Sequence, residues 1–422
     1  MTSPTRVPGR LADMKGLTPM VETILYADPQ VVYRRLRAEW GEVAPVELEP
    51  GINAWLVMGY QELSQVLRQE HVFRRDPRHW RDYAEGRVKP DSPLAPMMFP
   101  RPNALFTEGE EHRRLRVPLD EAGKALPPRK VARLTSETCD SLIDSLAGKG
   151  QADLMADYAM SIPTIVMGRM LGLDIETARE LATGMITFLV GDENAHAANQ
   201  RNEEILTGLV HARLAEPADD MTSILIRHPN LRDEFERLQA THVMVAGAND
   251  NSVAWIAQTL LLMLTDPRFS GRLRGGRLGI DEALEEVLWR DPPMPNFPAR
   301  YALRGTVLGG QHIAAGDPLI LGFTAANADP RVHSDDSWSE LGNRSHLAWG
   351  AGSHVCPAQV PARIIARTAV ETALHRLPGL RLTVTAEEIA RIPSPWIRAP
   401  STLPVTFTPF SQRSATAPPP RS

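Results

Sequence analysis

Apolar side chains recur at three- and four-residue intervals through ten stretches of the chain, roughly 29–40, 60–70, 110–121, 128–146, 153–171, 175–190, 201–215, 233–265, 280–290 and 361–377. Each reads as an amphipathic helix. Prolines gather between them, at 90–102, 292–298, 393–404 and 418–420, where a residue without an amide hydrogen must end a helix. Short alternating stretches read as strands within 43–57, 299–323 and 380–410, the middle one turning at Gly309-Gly310 and Gly316-Asp317. No internal repeat and no convincing linker interrupts this order. The pattern predicts a mainly α protein with small β-sheets at its edges, one large domain over residues 1–410, and a disordered C-terminal tail over 411–422.

Composition narrows the function more than the fold. The 422 residues carry 46 Lys+Arg against 51 Asp+Glu, a net charge of -5. That balance lacks the cationic excess that holds a polyanionic duplex, so nucleic acid is not an expected partner. No apolar leader core opens the chain, and no run of 18 uncharged apolar residues occurs, so neither a signal peptide nor a membrane span is expected. Only two cysteines occur, Cys139 and Cys356, too few for a disulfide framework; a reducing, cytoplasmic setting is the expectation.

One of those cysteines sits in unusual company. The segment His346-Leu-Ala-Trp-Gly-Ala-Gly-Ser-His-Val-Cys-Pro-Ala358 packs two glycines, a histidine and a cysteine just ahead of an amphipathic helix. Gly350 and Gly352 allow a tight turn against a flat ligand, and the position of Cys356 near a helix N-terminus favours a thiolate that can ligate iron. A buried structural cysteine after a glycine-rich turn is the plainer reading of the same residues. Zinc is not indicated, since neither cysteine has neighbours at structural-zinc spacing.

The segment resembles the haem loop of bacterial cytochromes P450 of the actinobacterial type, Phe-Gly-x-Gly-x-His-x-Cys-x-Gly, with Trp349 for the Phe and Ala358 for the last Gly. Further landmarks follow in the family's order. The stretch Glu110-Glu-His-Arg-Arg-Leu-Arg116 resembles the helix that offers a His and an Arg, His112 and Arg116, to the haem propionates. Arg300 and His354 resemble the two other anchors. The resemblance implies the cytochrome P450 fold, haem b ligated by Cys356, dioxygen as oxidant, and electrons from NAD(P)H through ferredoxin and ferredoxin reductase. Cys356 would push electron density toward dioxygen.

Three departures from the family pattern stand out. Where the family carries Ala-Gly-x-Asp/Glu-Thr on its long helix, this chain reads Val-Ala-Gly-Ala-Asn-Asp-Asn-Ser over 245–252. One register gives Gly247-Ala248 the Ala-Gly places, Asp250 the acid and Asn251 the threonine; the other puts Asp250 in the threonine place. Either way the threonine is missing; Asn251 can donate a hydrogen bond but is not a proton acid, so proton delivery is expected to be slowed or rerouted through Asp250, Ser252 and water. Next, Glu286 takes the Glu of the family's Glu-x-x-Arg, but Trp289 stands where the Arg belongs and Leu341 where a second arginine usually falls. Glu286 is therefore expected to turn to Arg290, Arg344 or the Trp289 indole, or to stay protonated. Last, Pro357 removes an amide that normally faces the thiolate, which predicts a lower reduction potential.

Positions resembling the family's substrate contacts are Met97, Met98 and Phe99; His242, Val245 and Ala246; Asn296 and Phe297; and Trp396 and Ile397. Together they suggest a pocket of polar and aromatic character, taking a small molecule or a short peptide. The absent threonine and Trp289 look similar to P450s that cross-link Tyr, His or Trp side chains in short ribosomal peptides, and natural-product tailoring by such coupling is the leading expectation. Hydroxylation of a small-molecule natural product is the alternative, and a haem-binding sensor or scaffold without turnover is a third.

Overall fold

The computed structural model describes residues 10–26, 28–190, 195–270, 279–332, 343–392, 394 and 396–410; the tail expected over 411–422, and Leu341, lie outside them. Ten helices of nine or more residues carry the body: α1 (Gln30–Trp40), α2 (Tyr60–Arg68), α3 (Gly109–Lys124), α4 (Pro128–Leu146), α5 (Ile162–Leu171), α6 (Ile175–Val190), α7 (Ala195–Ala215), α8 (Glu234–Thr265), α9 (Ile280–Arg290) and α10 (Gln359–Arg376). Their ends follow local chemistry. Pro128 opens α4 where its missing amide costs nothing. The Asp233 carboxylate accepts from the Glu236 amide at 2.8 Å to cap α8, which stops one residue before Asp266-Pro267.

The single helix expected over 153–171 is broken. Gln151–Asp153 (β5) instead pairs with Pro404–Thr406 (β11), a wide turn spans Met155–Ala159, and α5 starts afresh at Ile162-Pro163. Two forces account for this. The ring of Pro163 would clash with the carbonyl one turn back in a continuous helix, and the β11 side captures the preceding backbone, Leu154 N–H donating to Leu403 O at 2.9 Å and Leu403 N–H to the Asp153 carboxylate at 2.7 Å.

Six strands form the main sheet: β1 (Thr18–Pro19), β2 (Val43–Glu49), β3 (Ile52–Val57), β4 (Phe73–Arg74), β6 (Asn296–Ala302) and β9 (Pro318–Gly322), in the order β1-β2-β3-β9-β6-β4. Thr306–Leu308 (β7) and Gln311–Ile313 (β8) make a separate hairpin whose turn uses the positive φ of Gly309 and Gly310. Arg381–Leu382 (β10) completes the β5–β11 sheet. Apolar burial divides accordingly. The largest core joins α4, α5, α8, α9 and α10 through residues such as Ile143, Val166, Ile256, Leu284 and Val370, and two smaller cores cover the faces of the main sheet. The helical body and sheet meet around the 346–358 loop.

Candidate functional site

The 346–358 loop is held from three sides. Leu347 N–H donates to the Asn327 side chain at 2.8 Å, and Asn327 donates to Leu288 O on α9 at 2.9 Å. The Tyr60 hydroxyl of α2 donates to Ser345 O at 2.6 Å. Gly350 and Gly352 both adopt positive φ, 69° and 73°, and a Cβ at Gly352 would lie 2.3 Å from Leu67 O, so the close approach to α2 demands glycine there. The loop then folds back, Cys356 N–H donating to Trp349 O at 2.9 Å, before α10 begins three residues later. Burial raises the Cys356 thiol, while the Ala358 amide and the Arg116 guanidinium pull it down. One amide therefore still serves the sulfur beyond Pro357.

Basic groups crowd the other side of this loop. His112 is 3% exposed, its ring centroid 4.0 Å from that of His354, and its Nε2 has no partner among the described residues. Among the described residues Arg300, 3% exposed on β6, donates only to the neighbouring Ala299 O, at 3.3 Å. Arg116 is more committed: it donates to Asp120 at 2.7 Å, to Ser353 O at 3.2 Å and to Val355 O at 2.8 Å. Arg75, which the sequence did not single out, lies beside them, 2% exposed with Nε and Nη2 unpartnered. Burial and this mutual repulsion push His112 down to about 4 and His354 well below its ordinary value. Burial, then Arg75, lowers Arg300 to about 9. Buried cations with so little anionic counter-charge fit a ligand that brings its own carboxylates to this point, as haem does. The donor set fits as well: among the described residues no group of three His, Cys, Asp or Glu could hold a bare metal ion, so an iron at Cys356 would have to arrive in its own macrocycle.

Above the loop runs α8. It is almost wholly buried from Ser252 to Leu261, but Ala246 and Gly247 are exposed and a Cβ at Gly247 would meet nothing within 4 Å. The helix is open here. Ala248 is partly buried beside this window. One turn beyond it Asn251 holds a buried Oδ1 without a partner among the described residues, and one turn before it His242 holds a buried Nε2 in the same condition. Ser252 is 5% exposed. Asn249, also missed in the sequence, accepts from Thr164 Oγ1 of α5 and donates to the Asp250 carboxylate at 2.9 Å.

Burial lifts Asp250 to about 6 despite the Asn249 hydrogen bond. An acid raised on folding costs stability that is absent below its unfolded value, grows through the window from about 4 to 6, and is fully present above it. Asp250→Asn is thus expected to stabilise the protein by about 3 kcal/mol at pH 8, from roughly 1.4 kcal/mol per unit. The gain should vanish near pH 4. Denaturant unfolding at the two pH values checks this; an equal gain at both would contradict it.

The other sequence positions fall as follows. Met98, Val245 and Trp396 are buried in apolar cores, at 0%, 2% and 7% exposure. Asn296 is fully buried and spends its side chain on the sheet core, donating to Thr23 Oγ1 at 2.8 Å. Phe99 packs against Tyr83 with the rings tilted 60°, 4.9 Å between centroids; Phe297 lies against Arg75; Met97 and Ile397 are partly buried.

Of the partners expected for Glu286, the structure supplies Arg290 at 2.7 Å and adds Arg268 at 2.9 Å. The expected Arg344 is drawn instead to Glu285, at 3.6 Å, which also meets Arg363 and, at 3.2 Å, His346 Nε2. Burial pushes Glu285 up, but the His346 and Arg363 contacts outweigh it and hold the carboxyl below its ordinary value. Trp289 does not reach for a carboxylate either. Its indole N–H donates to Asn343 O at 2.8 Å and its ring meets His346 edge-on at 5.6 Å. Adjacent helix residues point about 100° apart, and packing against the loop decides which of the two acids goes inside.

No family profile matches the chain. Individual proteins do. A 2-hydroxy-5-methyl-1-naphthoate 7-hydroxylase of Streptomyces carzinostaticus is 28% identical over 398 residues, covering 90% of this chain and 95% of that protein. Biflaviolin synthase of Streptomyces coelicolor is 31% identical over 380 residues, 87% of this chain and 90% of that one. The solved structure of CYP154A1 from Streptomyces coelicolor matches with a TM-score of 0.78 at 30% identity, over 93% of this chain and 99% of its own.

Proposed function

Since the chain belongs to the cytochrome P450 family, an oxidoreductase family built around haem b, we propose that it tailors a natural product, and that its substrate is a short peptide whose aromatic side chains it couples. When bound, haem supplies dioxygen activation with electrons drawn from NAD(P)H. Cys356 would hold its iron, Gly350 and Gly352 would let the loop approach its face, Ala248 would line it from α8, and His112, Arg116, Arg300 and His354 would answer its carboxylates. Everything else is the work of this chain's own side chains.

The observation that carries the peptide reading is a pair of unsatisfied polar groups, His242 Nε2 and Asn251 Oδ1, one turn to either side of the exposed Ala246-Gly247 stretch of α8. Nine residues apart, they leave opposite faces of the helix, so a substrate satisfies one of them at a time. A peptide backbone carries both the donor and the acceptor that such a group needs. Asn251 can hold a hydrogen bond but does not yield a proton as an acid does; Asp250, raised to about 6, is the group able to do so near neutrality, with Ser252 beside it. A second reading, oxygen insertion into a small molecule, is favoured by relatives named as a naphthoate hydroxylase and, in Nocardia uniformis, as nocardicin C N-oxygenase. Ferredoxin and its reductase are the electron donors we propose for either.

Mass spectrometry of product separates the two. With tetrapeptides carrying two aromatic residues and with a hydroxynaphthoate as competing substrates, coupling removes two hydrogens and hydroxylation adds one oxygen. Product of the first kind from the peptide alone supports the proposal; oxygenated naphthoate with no peptide product overturns it.

Pro357 sets the electron affinity. Pro357→Leu adds a second amide donor toward the sulfur next to that of Ala358; a hydrogen bond to the thiolate strengthens as reduction adds negative charge, so it stabilises the reduced state more than the oxidised one, and the expected direction is a higher potential, on the order of 50 mV for one hydrogen bond. Potentiometry reads it directly, and a potential unchanged or lowered would refute the role of this proline.

A further inference from the structure

We propose that Arg75 is a haem-carboxylate ligand that acts as a cross-strand pair with Arg300. The inference rests on membership of the haem family and not on the substrate reading. Antiparallel pairing of β4 with β6 sets Phe73 opposite Ala302 and Arg74 opposite Tyr301, and carrying that register one residue past the end of β4 brings Arg75 level with Arg300. The two guanidinium groups share a single acceptor, each Nη1 donating to Ala299 O at 3.3 Å. Both residues are all but fully buried. Like charges directly opposite across a ladder repel, and burial away from water sharpens the repulsion.

The arrangement is built rather than accidental. Phe106 and Phe297 sandwich the Arg75 guanidinium at 5.0 and 5.1 Å from their ring centroids, which fixes its plane and leaves Nε and Nη2 as unpartnered donors among the described residues. The ladder between β6 and β9 slips between Phe297 and Arg300, a bulge of the kind that re-aims a side chain beside a site. Arg300 also faces His354 and, through it, His112. Arg116, the family's expected anchor, has its Nε and both terminal nitrogens already engaged by Asp120, Ser353 O and Val355 O. A carboxylate entering here finds its free bidentate donors on Arg75.

The test uses the full chain reconstituted either with haem b or with haem whose two carboxylates are methyl esters. Arg75→Gln is expected to release free-acid haem to excess apomyoglobin roughly tenfold faster than the unmodified protein, to show no difference with the ester, and to melt at a higher temperature than the unmodified protein when both lack haem, because the guanidinium repulsion is gone. Arg75→Lys should fall between. Equal release of free-acid haem would overturn the proposal, and so would an accelerated release that persists with the ester or an apoprotein less stable than its parent, since either marks Arg75 as packing. Failure of the unmodified protein to take up haem at all would strike the family assignment instead.

Discussion

Cys356→Ser is expected to abolish the thiolate-type Soret band of the reduced carbon monoxide complex and to lower product formation by at least about a thousandfold, because a serine hydroxyl neither ionises at neutral pH nor donates charge to iron as sulfur does. The fold should survive, since serine is close to cysteine in size and its hydroxyl can accept from the Ala358 amide that faces the sulfur. Haem should still associate, more weakly, through the cationic cluster on the far side of the loop. The difference spectrum and circular dichroism of the same sample check both halves; a variant that kept the band would sink the assignment of this sulfur.

Glu285→Gln is expected to destabilise the protein by about 2–4 kcal/mol at pH 7, a range set by the loss of one member of a buried ionic group and trimmed because Arg363 and Arg344 can turn to water. The change strands His346, whose side chain is almost wholly buried, and unties α9 from both the loop and α10. The pH dependence identifies the cause. Glu285 is held below its ordinary value in the folded protein, so its contribution is present above the unfolded value and lost as pH falls through the folded one. Unfolding curves for parent and variant should therefore converge in acid. Glu286→Gln should cost less by the same measurement, because Arg268 keeps Asp266 and the half-exposed Arg290 can turn to water.

Much of the architecture was legible from spacing alone. The bounds of α4, α6 and α9 coincide with the apolar stripes at 128–146, 175–190 and 280–290; Pro128 opens the first, and Pro292, two residues past Arg290, closes the last. What stayed hidden depends on partners distant in sequence. Nothing local in 153–171 announces that Leu403 will draw Leu154 into a strand connection. Spacing cannot tell Glu285 from Glu286, since the two differ only in which side of one helix meets the loop. Arg75 was invisible for the same reason: its significance appears only when the β4–β6 register brings it across from a residue 225 positions later. Cys356, His112, Arg116, Arg300 and His354 stand out through a family likeness, and the structure brings their side chains around one loop.

The tie between Trp289 and Asn343 carries no charge. An indole donating to a backbone carbonyl is indifferent to counter-ions, whereas any electron-transfer protein docking through surface charge loosens as ions accumulate. Raising the salt should therefore weaken a charge-docked reductant before it loosens the 346–358 loop, whose other tie, the Glu285 cluster, is buried from most counter-ions.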